Sequence, residues 1–333
     1  MKVTVLGAGS WGTALAFQLA RSGNDVFLWD YRTARAQQMQ QWRENRQYLP
    51  GITFPEQIQV SSDLQLSIES AELVVAVTPS QTMRSVIEEA QPFLSPEVPL
   101  CCASKGIEAK TLMTMEEVLR DVLPRSHHAQ LAFLAGPSFA KEVAENQPTA
   151  VVVASRFPEL ADEVGEAFHG GPFRVYHTDD IVGAELGGAL KNIIAIACGV
   201  ADGMGAGLNT RAALMTRGLA EITRLAVARG ANPLTLAGLA GMGDLTLTCT
   251  GNLSRNRRVG IGLGQGKSLN DILDELGQVA EGVVTTKTAV ALAEQTGIEM
   301  PITQGIYDLL YSGDTVQNVM KRLLRRDRKA ERG

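Results

Sequence analysis

At 333 residues, 45% of them hydrophobic and 20% charged, the chain exceeds one ordinary domain of about 100–200 residues and can bury two cores. Its net charge of −5 gives no electrostatic reason to expect nucleic acid, and no apolar stretch reaches the roughly 18 residues of a stable membrane span, the nearest candidate being broken by Lys191. Cys101, Cys102, Cys198 and Cys249 lack any CxxC or metal-ligand spacing, so the expectation is a reduced cytoplasmic protein with buried thiols, no metal and no targeting segment.

The first apolar run, Val3 to Leu6, enters a glycine-rich turn, Gly7-Ala-Gly9-Ser10-Trp11-Gly12, and the next run, Val26 to Trp29, closes on Asp30. Strand, G-x-G-x-x-G, helix and then a carboxylate about 20 residues on is the context of a dinucleotide-binding fingerprint. In that reading Gly7 permits the tight turn, Gly9 lets the backbone approach a pyrophosphate, and Gly12 lets the helix pack on its strand. An ordinary tight turn with a locally satisfied Asp30 is the alternative.

Further β-rich runs at 73–77, 100–103, 131–135, 150–154 and 173–176 alternate with amphipathic segments, the pattern of a mostly parallel sheet covered by helices. Thr78-Pro79, Ser104-Lys105-Gly106 and Gly136-Pro137-Ser138-Phe139-Ala140 follow three of these runs, and loops at carboxyl strand ends line the ligand crevice of such sheets. After about residue 180 the period becomes helical, in segments 181–200, 211–229, 269–276 and 285–294. The expected fold is α/β, an N-terminal Rossmann-like, doubly wound sheet followed by an all-helical domain, divided as 1–182 and 183–333, with a helix from Ile181 crossing between the two.

Lys191 is the only charge between Leu186 and Ala201, in a segment apolar enough to be buried. Burial disfavours an ammonium and lowers its pKa toward the range of a general acid or base. A lysine that snorkels to solvent or pairs with Glu185 or Asp244 explains the same residue. The histidines offer little competition: His127 and His128 sit in a polar stretch expected at the surface, His169 precedes a glycine pair and His177 closes a strand.

Between Ser254 and Arg258 a hydroxyl, an amide and three guanidinium groups suit either a phosphate or a solvated basic turn. The following Gly260 to Ser268 stretch imitates a P-loop but has Ile261 where glycine is required. Asp244 and Glu281 stand in glycine-flanked turns where each is explained by helix capping alone. The basic run from Lys321 to Lys329 is expected to be a solvated helix end.

Taken together, Gly-Ala-Gly-Ser-Trp-Gly-Thr-Ala at 7–14, Ser-Lys-Gly at 104–106, Gly-Pro-Ser-Phe-Ala at 136–140, Gly-Gly-Ala-Leu-Lys-Asn at 187–192, Gly-Asp-Leu at 243–245, Ser-Arg-Asn at 254–256 and Glu-Gly-Val-Val-Thr-Thr-Lys at 281–287 resemble the bacterial-type NAD(P)-dependent glycerol-3-phosphate dehydrogenases along nearly the whole chain. The resemblance implies reversible reduction of dihydroxyacetone phosphate to sn-glycerol 3-phosphate, feeding glycerophospholipid synthesis, with Lys191 as general acid and base. It implies substrate contacts from Lys105, Gly136, Ser138, Asn192, Asp244, Thr248, Ser254, Arg255 and Asn256. Cofactor contacts would come from Ser10, Trp11, Arg32, Lys105, Ala140, Arg255, Val279 and Glu281, beside Gly7, Gly9, Gly12 and Asp30 of the fingerprint. Asp30 favours NAD and Arg32 favours the 2′-phosphate of NADP, so both cofactors stay open with a lean to dual use. The partners expected are the small-molecule substrate and a second copy of the chain, with no nucleic acid and no stable membrane insertion.

Overall fold

The computed structural model describes residues 1–277 and 279–327. Eight strands form one sheet: β1 (Lys2–Leu6), β2 (Asp25–Trp29), β3 (Ile58–Ser61), β4 (Leu73–Ala76), β5 (Leu100–Cys102), β6 (Leu131–Ala135), β7 (Thr149–Ala154) and β8 (Phe173–Thr178). Their order is 3-2-1-4-5-6-7-8, parallel throughout except where β7 runs antiparallel to β6. The order reverses direction between β1 and β4, which pair with Val3 opposite Leu73, and this is where a doubly wound sheet opens its ligand crevice.

Side chains alternate faces along each strand, and the core divides accordingly. Val3 and Val5 of β1, Leu73 and Val75 of β4 and Cys101 of β5 pack with the helices Ser10–Arg21 and Pro158–Phe168. Leu6, Val74, Ala76 and Cys102 face the other way, onto the helices Met83–Ala90 and Met115–Val122. All four cysteines are free and buried, and burial pushes the Cys102 thiol up to about 12.

β3 is not among the apolar runs of the sequence. It has four residues and turns only Ile58 and Val60 to the core, so its signal is two alternations long. His127, expected at the surface, is buried, because a 3₁₀ helix, Arg125–Gln130, sets its ring 3.3 Å from the carbonyl oxygen of Leu94.

Beyond β8 every described element is helical. The helix Ile181–Gly203 is the axis of this half, its N-terminus capped by Asp180, which accepts from the Gly183 amide at 2.9 Å. Ile181 and Ala184 belong to the core of the sheet, and Leu186 to Val200 belong to the core of the helical half, so one rigid helix joins the two. It is long and apolar enough to pass for a membrane span, yet 89% of its most apolar window is buried inside the protein.

The helix Arg255–Gly264 was hidden in the sequence by Gly260, Gly262 and Gly264, which resemble loop punctuation. Tertiary packing supplies the reason for them. A Cβ at Gly260 would lie 2.0 Å from the carbonyl oxygen of Ile196, and one at Gly199 would lie 2.1 Å from that of Arg257, so the two helices meet backbone to backbone.

The basic C-terminal run begins in the helix Val316–Leu324, where Arg322 pairs with Asp308 and Asp314. Residues 328–333, which include Lys329 and the end of the expected second domain, lie outside the described residues.

Candidate active site

The glycine turn after β1 has the geometry that its residues require. Gly7 has φ +120°, and a Cβ there would press to 2.9 Å from the carbonyl oxygen of Val77; a Cβ on Gly12 would fall 1.9 Å from the carbonyl oxygen of Gly7. At Gly9, in contrast, a Cβ would meet nothing within 4 Å. Gly9 is the N-cap of the helix Ser10–Arg21, and no side chain caps that end, so its first amides keep no side-chain partner, the arrangement of an anion-binding helix end.

Ser10 and Trp11 brace this turn. The Ser10 hydroxyl donates to the Tyr48 carbonyl at 2.8 Å, and Trp11 Nε1 donates to the Ala103 carbonyl at 3.2 Å, tying the turn to the loop that carries Lys105. The Ser104 hydroxyl donates to the Thr78 carbonyl, so three of the strand-end loops converge. Ala140 begins a short helix, Ala140–Ala144, and packs against the same core as the fingerprint helix.

At the other end of the fingerprint, Asp30 is buried with its carboxylate already engaged. Oδ1 accepts from the Arg32 amide at 2.8 Å and from Arg35 at 2.9 Å, and Oδ2 accepts from Arg35 Nε at 2.7 Å. Arg32 is exposed, its guanidinium 5.2 Å from the centre of the Tyr31 ring. Arg35 was not singled out in the sequence, although it stands one helical turn into the segment after Asp30, within reach of that carboxylate.

The candidate chemical centre is a carboxylate shared by two lysines. Asp244 accepts from Lys191 Nζ on Oδ1 and from Lys105 Nζ at 2.7 Å on Oδ2. Lys191 also donates to the Thr248 hydroxyl at 2.7 Å, and that hydroxyl donates to the backbone carbonyl of Asp244, one turn before it. Lys105 reaches the Gly136 carbonyl at 3.1 Å, and the Ser138 hydroxyl donates to the same oxygen at 3.1 Å. Lys191, Asp244 and Thr248 are all buried.

Of the two pairings open to Lys191, the structure selects Asp244. Asp244 is not a helix cap: it is the first residue of the helix Asp244–Thr250, delivered by a π-helical turn, Leu239–Gly243. Burial lowers the Lys191 ammonium to about 8, with Asp244 opposing the shift and the charge of Lys105 adding to it. Asp244 itself stays below its ordinary value, because the two lysines and their hydrogen bonds outweigh its burial.

A second group of residues joins the helical half to the strand ends. Ser254 caps the helix Arg255–Gly264 by accepting from the Arg257 amide at 3.2 Å, and Arg255 opens that helix toward solvent. Asn256 is buried and its Oδ1 accepts from the Gly282 amide at 2.9 Å; a Cβ on Gly282 would also lie 2.9 Å from the carbonyl oxygen of Asn192, itself buried. Glu281, the first residue of the helix Glu281–Thr296, accepts from the Ser80 hydroxyl at 3.0 Å. Burial raises the Glu281 carboxyl above its ordinary value, opposed by Ser80 and by the charge of Arg255. Val279 is exposed two residues before it.

The three guanidinium groups of this region separate. Arg257 is buried in an ion pair with Asp202 at 2.7 Å and donates to Asn252 Oδ1 at 3.0 Å, while Arg258 lines a surface recess with Lys267 and Glu275. Among the described residues no cluster of three or more His, Cys, Asp or Glu has the arrangement of a metal site.

Glu185 lines a small recess with Lys105 and Ser104; its Oε1 accepts from the Glu116 amide at 2.9 Å, and its Oε2 is buried without a partner. Burial pushes this carboxyl up to about 8, so the folded protein retains a proton that the unfolded chain releases near 4.5. Stability therefore falls as pH rises through that interval. Glu185→Gln should raise the melting temperature by a few degrees at pH 8 and much less at pH 5, measured by calorimetry.

Comparison with known proteins places this geometry in a family. The family model described as NAD-dependent glycerol-3-phosphate dehydrogenase N-terminus matches residues 2–161, and the one described as NAD-dependent glycerol-3-phosphate dehydrogenase C-terminus matches residues 180–321. A glycerol-3-phosphate dehydrogenase (NAD(P)+) of Anaeromyxobacter dehalogenans is 53% identical over 331 residues, covering 99% of this chain and 100% of its own length. One from Geobacter metallireducens is 52% identical and covers 100% of this chain and 99% of its own. The crystal structure of a glycerol-3-phosphate dehydrogenase from Coxiella burnetii superposes with a TM-score of 0.93 at 41% identity, covering 98% of this chain and 99% of that one. A buried two-lysine carboxylate beside an open glycine turn, on a sheet and helical half that match such relatives end to end, thus has its family: the chain belongs to the NAD-dependent glycerol-3-phosphate dehydrogenases.

Proposed function

We propose that the chain reduces dihydroxyacetone phosphate to sn-glycerol 3-phosphate, reversibly, with Lys191 as the acid–base group. The observation that carries the reading is the Lys105–Asp244–Lys191 cluster, anchored in the loops after β5 and β6 and linked through Trp11 to the open glycine turn. The nicotinamide, when bound, supplies or accepts the hydride at C2; the turn at Gly7, Gly9 and Gly12 and the helix end at Ser10 would hold its pyrophosphate.

As the ketone oxygen gains charge it needs a proton and positive potential. Lys191, poised near neutrality, supplies the proton and in the reverse direction takes it back. Lys105, held by Asp244 and the Gly136 carbonyl, keeps a second positive charge at the same place. Thr248 orients Lys191, and Asn192, Gly136 and Ser138 shape the pocket around the reacting carbons. Arg255 grips the substrate phosphate with Ser254 and Asn256, and with Ala140, Val279 and Glu281 borders the cofactor. A division at 182/183 assigns the acid–base lysine to the helical domain and the fingerprint to the sheet.

The test is the initial rate of reduced-nicotinamide absorbance loss with dihydroxyacetone phosphate, supplying NADH and NADPH in separate reactions. Oxidation with the phosphorylated ketone and not with dihydroxyacetone supports the reading; no oxidation with either cofactor overturns it. Arg255→Ala should raise KM for dihydroxyacetone phosphate by about tenfold or more while leaving kcat within a few-fold, because a remote charged contact contributes binding shared by ground and transition states. A kcat loss with unchanged KM would remove Arg255 from the phosphate grip. The same reading includes a cytoplasmic homodimer that supplies glycerol phosphate to phospholipid synthesis, and light scattering on the purified protein checks the dimer.

A further inference from the structure

An acidic residue at the end of the second strand of a dinucleotide fold ordinarily faces the ribose hydroxyls of NAD and repels the 2′-phosphate of NADP. Asp30 occupies that position, but its side chain is 0% exposed and both of its oxygens are engaged. The partner that covers it, Arg35, is itself fixed. Its NH1 donates to the Tyr48 hydroxyl at 3.1 Å, and its guanidinium lies 4.9 Å from the centre of the Tyr48 ring and 5.5 Å from that of Tyr31. Tyr31 in turn lies under the exposed guanidinium of Arg32.

Counting formal charges, Asp30 contributes one negative and Arg32 and Arg35 one positive each, so the cluster is net positive where the sequence alone suggests a contest between Asp30 and Arg32. The bidentate geometry makes Arg35 a specific neutraliser of this carboxylate, since a planar fork satisfies both oxygens at once.

We propose that Arg35 sets the cofactor preference of this enzyme: by binding Asp30 it withdraws the carboxylate from the ribose and leaves a positive cluster, with Arg32 foremost, that accepts the 2′-phosphate of NADPH. The inference rests on the nicotinamide-dependent reading above. It also reverses the role of Asp30, whose carboxylate decides against the 2′-phosphate only once Arg35 is removed.

Calorimetric titration of the full chain with 2′,5′-ADP and with ADP reads the effect without turnover. The wild-type protein should bind 2′,5′-ADP more tightly than ADP. In Arg35→Gln, 2′,5′-ADP should weaken by about tenfold or more, the scale of a like-charge juxtaposition, while ADP changes by less than about threefold. Adding Asp30→Asn to Arg35→Gln removes the uncovered carboxylate and should restore most of the lost affinity. Equal weakening of both ligands in Arg35→Gln, or no recovery in the double variant, would show Arg35 to be a structural support only and overturn the proposal. A wild-type preference for ADP would overturn it as well. Failure of the wild-type protein to bind either nucleotide would instead bring down the nicotinamide reading on which the proposal stands.

Discussion

Lys191→Ala is expected to lower kcat for ketone reduction by about 10²- to 10⁴-fold, the usual contribution of a positioned acid–base group, with the affinity for reduced cofactor nearly unchanged. The loss should exceed that of any other single substitution in the pocket, because Lys191 alone combines burial, a carboxylate partner and a pKa brought down to about 8. Only the ammonium donates a proton, so kcat/KM for reduction should fall as pH rises through about 8, and that for oxidation should rise over the same interval. Both limbs should vanish in the alanine variant. Cofactor affinity, followed by nicotinamide fluorescence, separates lost chemistry from a collapsed site. Near-normal turnover, or a pH limb that survives the substitution, would remove Lys191 from the acid–base role.

Asp244→Asn should have the second largest effect, and by a different route. The carboxylate binds two ammonium groups from opposite halves of the protein, and an amide leaves both with no compensating charge in a buried place. Breaking one partner out of a buried ion pair typically costs about 3–5 kcal/mol, which here divides between stability and the proton affinity of Lys191. The melting temperature should fall. Lys191 should lose its proton at a lower pH than in the wild type, because burial and Lys105 still oppose its charge and the carboxylate that supported it is gone. The alkaline limb of the reduction profile therefore moves to lower pH, and activity lost at pH 7.5 is partly recovered at pH 6. A variant whose limb stays in place would show that Asp244 only props the fold.

Local sequence determined the elements whose residues act on their immediate neighbours. The Gly7-Ala-Gly9-Ser-Trp-Gly12 turn between a strand and a helix, the short apolar runs of β4 to β8 set between amphipathic segments, and the buried helix around Lys191 are legible because each is carried by its own segment's composition and pattern. β3 escaped because only Ile58 and Val60 of its four residues are apolar, whereas β4 and β5, no longer than it, are apolar throughout. Tertiary structure alone decided everything that depends on two distant segments meeting. The helix Arg255–Gly264 contains glycines that only a second backbone, at Ile196 and Gly199, explains. Asp244 became the partner of Lys191 and Lys105 although 53 and 139 residues separate them in the chain. Asp30 was visible as an acidic strand end, but its charge was settled by Arg35, and Arg257 was drawn from the supposed phosphate cluster by Asp202. The physical reason is common to these cases: a charge or a glycine declares its chemistry in the sequence, whereas its effect depends on which groups lie within about 4 Å, and packing sets that distance.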